Sequence, residues 1–394
     1  RRAYGSVASR LVGTTVRARV GAGLLAWLGG LAVVVAAAHP ESCPTVTADE
    51  ARAAAQAGVD WIGTNQALDG RFLYRYDRAE HEAQPGYNYV RHAGTLLALE
   101  QGAAAGLEGA AETAAAGFEF VDDHLTDLPD GRTAFTADTG GAGLLVAALV
   151  EHRRRTGDES NDELLVHLGR FLESTVTDEG AIVALWDLEA DEPVAGTRSP
   201  FFTGEILWAL ARLHAEFPDE GWDVPARRVS TYLATERDDA ERRLPPVSDH
   251  WGAYAWDEIA AWPTPLTDDE LAYAERQAGL FGLQVRYESQ RRESGLARLT
   301  RGPHALPAGL GTVGEGLGGI RRLAEREPRL DVDREDLDDR LTCVAGMLAD
   351  RQTHGDDPRL DGAWFRADDV TQVDDQQHAV SALLAALPVL EDHP

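Results

Sequence analysis

Six times along the chain, a polar or aromatic cluster gives way to a small residue and then to an apolar run. The segments are RHAGTLLAL around Gly94, TGGAGLLVAAL around Gly143, FFTGEILWAL around Gly204, DHWGAYAW around Gly252, TVGEGLGGI around Gly314 and QQHAVSALLAAL around Ala379. The small residues lie 49, 61, 48, 62 and 65 positions apart. Recurrence on this scale marks stacked supersecondary units, none of which can bury its apolar face alone.

A more amphipathic segment fits in front of each run, starting near Ala48, Leu107, Asn161, Val224, Asp268 and Arg334. DELLVHLGRFLESTV and DLDDRLTCVAGMLADRQ, for example, place apolar residues at i, i+3, i+4 and i+7, which makes one apolar stripe on a helix. The second segment of each pair is apolar nearly all round, and a helix of that kind is buried. Six amphipathic helices outside six buried ones predict an all-α fold, an (α/α)6 toroid of six outer-inner helix hairpins. It would form a single domain over residues 45–392. Gly and Ala on the inner helices let the backbones crowd at the centre. The links DGRFLYRYD, DGRTAFTAD, EGAIVALWD and DGAWFRAD read as short strands or hairpins over one rim. The rival architecture is a two-domain helical protein, and the sequence has no Ser/Gly/Pro-rich linker to divide one.

Residues 1–39 stand apart. Arg1, Arg2, Arg10, Arg17 and Arg19 precede an uncharged run from Val20 to Ala38, just long enough to cross a bilayer. Arginines before the run and an acidic chain after it predict the cytoplasm on the N-terminal side and the body outside. The expectation is a membrane anchor, with a cleaved signal peptide as the alternative, since VVVAAA ends in small residues. Either one exports the domain, anchored in the membrane or secreted.

Charge narrows the partners. Lys plus Arg is 37 and Asp plus Glu is 66, a net charge of 37 − 66 = −29, and every strong base is arginine. Such an acidic chain excludes nucleic acid, whose phosphates require basic patches. Two cysteines, Cys43 and Cys343, are too few for a cysteine-based metal site. They read as two unrelated thiols. The alternative is a disulfide closing the ring, because Cys343 falls on the last outer helix and Cys43 just before the first. No loop has EF-hand spacing, and neither metal nor cofactor is expected.

In an alternating toroid the inner helices all start at one end, so unpaired N–H groups and helix dipoles converge there. That end suits anionic groups such as carboxylates or sulfates. Candidate catalytic residues at these starts are Tyr87, His92, Glu205, Asp249, His250 and Glu315. Glu205 and Glu315 stand out, since a carboxylate opening a buried helix must be paired or functional. Candidate substrate-binding residues are Tyr89, Arg91, Trp251, Tyr254, Asp375 and His378. Arg91 would hold an anion or tie down Asp77, and Asp138 reads as a helix cap.

Six hairpins, Gly-aromatic links and polar inner-helix starts resemble the six-hairpin glycosidase and terpenoid-cyclase toroids. NQALDGRF resembles the Gln…Asp-Gly-aromatic repeats of terpene cyclases. An exported, membrane-tethered toroid is also similar to the C-terminal domain of D-glucuronyl C5-epimerases. The resemblance spans roughly residues 45–390 as architecture. No family signature matches residue for residue, so no family's catalytic residues carry over. The Asp-x-Asp-Asp motif of squalene-type cyclases is absent, and two cysteines cannot build the zinc sites of prenyltransferases or lanthionine cyclases.

The resemblance implies a carbohydrate-active enzyme outside the cytoplasm, working on neutral or uronic-acid-containing glycans as glycosidase, lyase or C5-epimerase. Opposed carboxylates suit glycoside hydrolysis. An Arg holding a uronate, with Tyr or His moving a proton, suits a lyase or epimerase. The alternatives are terpenoid-cyclase-like chemistry or a non-catalytic glycan-binding envelope protein.

Overall fold

Caps start several of the outer helices. Thr47 forms a capping box with Glu50 at the head of α2 (Ala48–Thr64), and Thr267 forms another with Glu270 at the head of α11 (Asp268–Ser289). Asp333 accepts two backbone N–H groups at the start of α14 (Arg334–Arg351). The other outer helices are α4 (Ala110–Asp122), α6 (Asp162–Ser174) and α8 (Asp223–Thr235). Helix α4 begins at Ala110 rather than near Leu107, because Gly109 takes a left-handed conformation just before it.

The computed structural model describes residues 18–35, 40–241 and 248–392. The chain divides into two compact units between Ser42 and Cys43. The first contains α1 (Ala18–Val35), a helix long and apolar enough to cross a membrane, as a signal sequence also is. The end of the apolar run, Ala36–Ala38, lies outside the described residues.

In the second unit the inner helices are α3 (Tyr89–Ala104), α5 (Thr139–Thr156), α7 (Phe202–Glu216), α10 (His250–Ile259), α13 (Pro307–Arg326) and α15 (Val373–Asp392). Each packs on the next, and α15 packs back on α3, so the ring closes. This is the (α/α)6 toroid. Two short helices, α9 (Arg237–Ala240) and α12 (Gly295–Arg301), decorate the links.

The small residues permit the ring. A Cβ on Gly314 of α13 would lie 2.7 Å from Cβ of Ala382 on α15 and 2.9 Å from Val344 on α14. Gly204 of α7 lies as tightly against Asp249 and Trp251 of the next inner hairpin. One extra carbon at such a crossing forces packed helices apart, at a cost of about 1–3 kcal/mol.

Three of the links carry short antiparallel hairpins, as their β-branched and aromatic content predicts, while DGAWFRAD forms no strand and leads into one. Strand β1 (Arg75–Asp77) pairs with β2 (Glu82–Ala83), β3 (Thr126–Leu128) with β4 (Arg132–Ala134), and β5 (Trp186–Asp187) with β6 (Glu192–Pro193). Strand β7 (Val370–Gln372) pairs with β1, Tyr76 opposite Thr371. Unit six is thereby joined to unit one by strands as well as by helices.

Cys43 and Cys343 form a disulfide, with Cα atoms 5.0 Å apart and a sequence separation of 300. The expectation of two unrelated thiols is overturned. The cause is ring closure: α14 packs beside α2, and Gly346 of α14 leaves room for the Pro44 carbonyl next to the bridge.

Candidate active site

The starts of all six inner hairpins line one cavity of about 410 Å³. Unit one contributes Asn88 and Arg91, unit two Asp138, and unit three Phe201, Phe202 and Glu205. Unit four contributes His250 and Trp251, unit five Ala308 and Thr312, and unit six Asp374, Gln377 and His378.

Glu205 sits in the first turn of α7, 4% exposed. Its Oε2 has no hydrogen-bond partner. The space beside it exists because Gly140, at the start of α5, has no side chain; a Cβ there would collide with Oε2. A helix start ordinarily favours a charged carboxylate. Burial outweighs that here, and with the negative charges of Asp249 and Asp138 it pushes the Glu205 pKa up to about 8, against a hydrogen bond from Trp251. Glu205 is therefore largely protonated at neutral pH.

Asp138 occupies the N-cap position of α5 but makes no side-chain cap hydrogen bond. Thr139 does not cap either, since its hydroxyl donates to Val183 O at 2.8 Å. The Asp138 carboxyl is left to the cavity, and burial raises its pKa. The capping expectation for this residue fails.

Arg91 meets a carboxylate other than Asp77. Its Nε lies 3.0 Å from Asp374 Oδ2, and its Nη1 donates to Tyr74 Oη at 2.6 Å. The pair spans the closure between units one and six. Across the cavity, His378 Nδ1 lies 2.6 Å from Glu315 Oε2. His250 Nε2 is 3.9 Å from the same oxygen and has no hydrogen-bond partner. Burial, with the neighbouring charge of His378, keeps His250 neutral. Burial pulls the His378 pKa down, but Glu315 beside it wins and raises it. Glu315 itself does not line the cavity; it lies behind the two histidines. Trp251 forms a wall of the cavity, backed by Trp208 at 5.6 Å between ring centroids.

No protein-family model matches this sequence, and no curated protein matches it. Solved structures do. A heparin-specific unsaturated glucuronyl hydrolase superposes with a TM-score of 0.58 at 11% identity, over 87% of this chain and 98% of that one. An α-1,6-mannanase of Salegentibacter sp., in complex with α-1,6-mannotriose, gives 0.60 at 13% identity, over 87% and 99%. The cellobiose 2-epimerase of Spirochaeta thermophila gives 0.57 at 15% identity, over 84% and 93%. The chain has the toroid fold of these enzymes. At such identities the likeness fixes architecture alone.

Within this toroid six expected site residues besides Glu315 do not line the cavity: Tyr87, Tyr89, His92, Asp249, Tyr254 and Asp375. Tyr87 donates to His92 Nδ1 at 2.6 Å, and His92 Nε2–H donates to Gly117 O at 2.9 Å. Burial holds this His92 neutral, its pKa lowered to about 4. Tyr89 packs among Phe120, His124 and Phe135. Tyr254 is buried against Trp208 and bonded to Glu315. Asp375 accepts from Ala308 N at 3.0 Å and Arg366 Nε at 2.7 Å, tying α15 to the head of α13.

Asp249 is also fully engaged. Oδ1 caps α10 by accepting from Gly252 N at 2.8 Å, and Oδ2 pairs with the buried Arg237 at 2.6 Å. Replacing Asp249 with Ala strands Arg237 and removes the cap. The expected loss is about 3 kcal/mol of stability, read from urea denaturation. Unchanged stability with lost activity would instead put Asp249 in the chemistry.

Proposed function

We propose that this protein is a carbohydrate-active enzyme that cleaves glycosidic bonds, with Glu205 as the proton donor. Glu205 carries the proposal. A carboxyl that keeps its proton at neutral pH, with one oxygen unpartnered beside a sugar-sized cavity, is suited to protonate a leaving glycosidic oxygen. Asp138, unused as a cap and facing the same cavity, is the partner carboxylate that activates water or attacks the anomeric carbon. Trp251 and Phe201 offer faces for sugar stacking. Arg91, oriented by Asp374, offers a guanidinium to a uronate carboxylate.

Two features support a location outside the cytoplasm. The Cys43–Cys343 disulfide suits an oxidising compartment. Helix α1 has the length and composition of an anchor or signal. The names of the structural neighbours, two hydrolases and an epimerase of sugars, agree with a glycan substrate.

The test is incubation with neutral and uronic-acid glycans in D2O, followed by NMR. New reducing ends that appear with the wild type and not with Glu205→Gln are the expected result. Deuterium at a ring carbon without cleavage would make the enzyme an epimerase, and unsaturated uronate a lyase. Silence across the panel would sink the carbohydrate proposal.

A further inference from the structure

His250 Nε2 has no role in the scheme above. It is a buried imidazole nitrogen, on a residue 2% exposed, with no hydrogen-bond partner. Such an atom requires an explanation. Around it, His250 of α10, Glu315 of α13 and His378 of α15 each present one ligating atom, all within 4.8 Å of one another. The three helices are consecutive around the ring.

We propose that His250, Glu315 and His378 bind a divalent transition-metal ion of the zinc type at the wall of the cavity. Two imidazoles and one carboxylate are the donor set that such ions take, whereas calcium and magnesium prefer oxygen alone. Metal–ligand bonds of about 2.0–2.1 Å in a tetrahedral site put neighbouring ligand atoms roughly 3.3 Å apart. The carboxylate oxygen of Glu315 lies 2.6 Å from His378 Nδ1 and 3.9 Å from His250 Nε2. These two distances bracket the requirement, and the two imidazole nitrogens lie within 4.8 Å of each other, so side-chain shifts of about 1 Å bring the three into place. The ion takes the place of the proton shared by His378 and Glu315, which leaves to solvent.

The surroundings are those of a built site. Tyr254 and Ser381 stand beside Glu315 on the side away from the histidines, with Ser381 donating to Gln101 Oε1 at 2.8 Å. His250 and His378 both line the cavity, so a fourth coordination position opens into it. That position takes water or an oxygen of the sugar, a hydroxyl or carbonyl, which the ion would polarise. This site departs from the metal-free expectation of the sequence. The signal was present as two histidines and a glutamate at three inner-helix starts, but their spacing does not show that these three side chains turn toward one another.

The full chain, stripped with chelator, is titrated with Zn2+ by calorimetry and with Co2+ by visible absorption, without glycan. One equivalent of Zn2+ per chain and the absorption of tetrahedral cobalt are expected. His250→Gln and His378→Gln should each weaken binding more than about 100-fold, with circular dichroism confirming that they fold. Glu205→Gln should bind as the wild type does. Lack of stoichiometric binding by the folded wild type would overturn the proposal, as would undiminished affinity in both histidine variants. Should the variants fail to fold, the wild type decides alone: no cobalt absorption and no rise in Tm with Zn2+ would overturn it. Because the assay contains no substrate, the glycosidase proposal can fail without affecting this one.

Discussion

Glu205→Gln is expected to lower kcat by about 10³-fold while the protein stays folded. Loss of a general acid costs on the order of 10²–10⁴ in rate, and glutamine keeps the size and the polar end of the side chain. The stability of this variant should separate a catalytic role from a structural one. Burial raises the folded-state pKa of Glu205 from 4.5 to about 8. The folded protein therefore holds a proton that the unfolded chain releases, and stability falls as pH rises through that interval. Each unit of displacement corresponds to about 1.4 kcal/mol. Glu205→Gln removes this dependence. It should match the wild type near pH 4.5 and exceed it by a few kcal/mol on the order of pH 8. In the wild type, kcat/KM should fall on the alkaline side, near the pH at which Glu205 ionises. A large stability loss with activity retained would assign Glu205 to the scaffold.

Reduction of Cys43–Cys343 is expected to remove about 3–5 kcal/mol of stability. The bond closes a loop of 300 residues, and the entropy that a cross-link removes from the unfolded chain grows with the logarithm of loop length. It also acts where the ring closes, alongside the β1–β7 pairing and the α15–α3 packing. Opening it frees both ends of the domain to leave the ring together. Urea denaturation with and without reductant measures the effect, with Cys43→Ser/Cys343→Ser as the control for side reactions. Coincident midpoints would show that the helices alone keep the ring closed.

Helix periodicity and residue size were enough to read the ring from the sequence. Gly94, Gly204 and Gly314 mark real crossings of inner helices, and Glu205, His250, Arg91 and His378 do begin those helices at the cavity. What could not be read is the direction of each side chain. Successive residues of a helix point about 100° apart. Arg91 reaches the cavity, while His92 after it turns to Gly117 of α4. Asp374 meets Arg91, while Asp375 turns to the head of α13. Hydrophobic pattern places a helix start at the rim but does not fix its rotation to within one residue. Long-range partners were hidden for a related reason. Asp374 and Arg91 lie at opposite ends of the domain's sequence, and only closure makes them neighbours. The cap rule fails at Asp138 because it describes a position, and this carboxyl makes no hydrogen bond to the backbone it would cap.

The glycines at the helix crossings set how far the rest of the sequence can vary. What the ring requires there is the absence of a side chain, a constraint on volume that leaves chemistry free. Around such fixed points the apolar faces can exchange residues of similar volume without opening the circle. A ring of this kind can therefore keep its shape with few letters fixed, through a rhythm of small residues. Proteins sharing only 11–15% of their residues with this chain still superpose over more than four-fifths of it. What this ring holds fixed is residue size where its inner helices cross, a demand that identity along the whole chain does not measure.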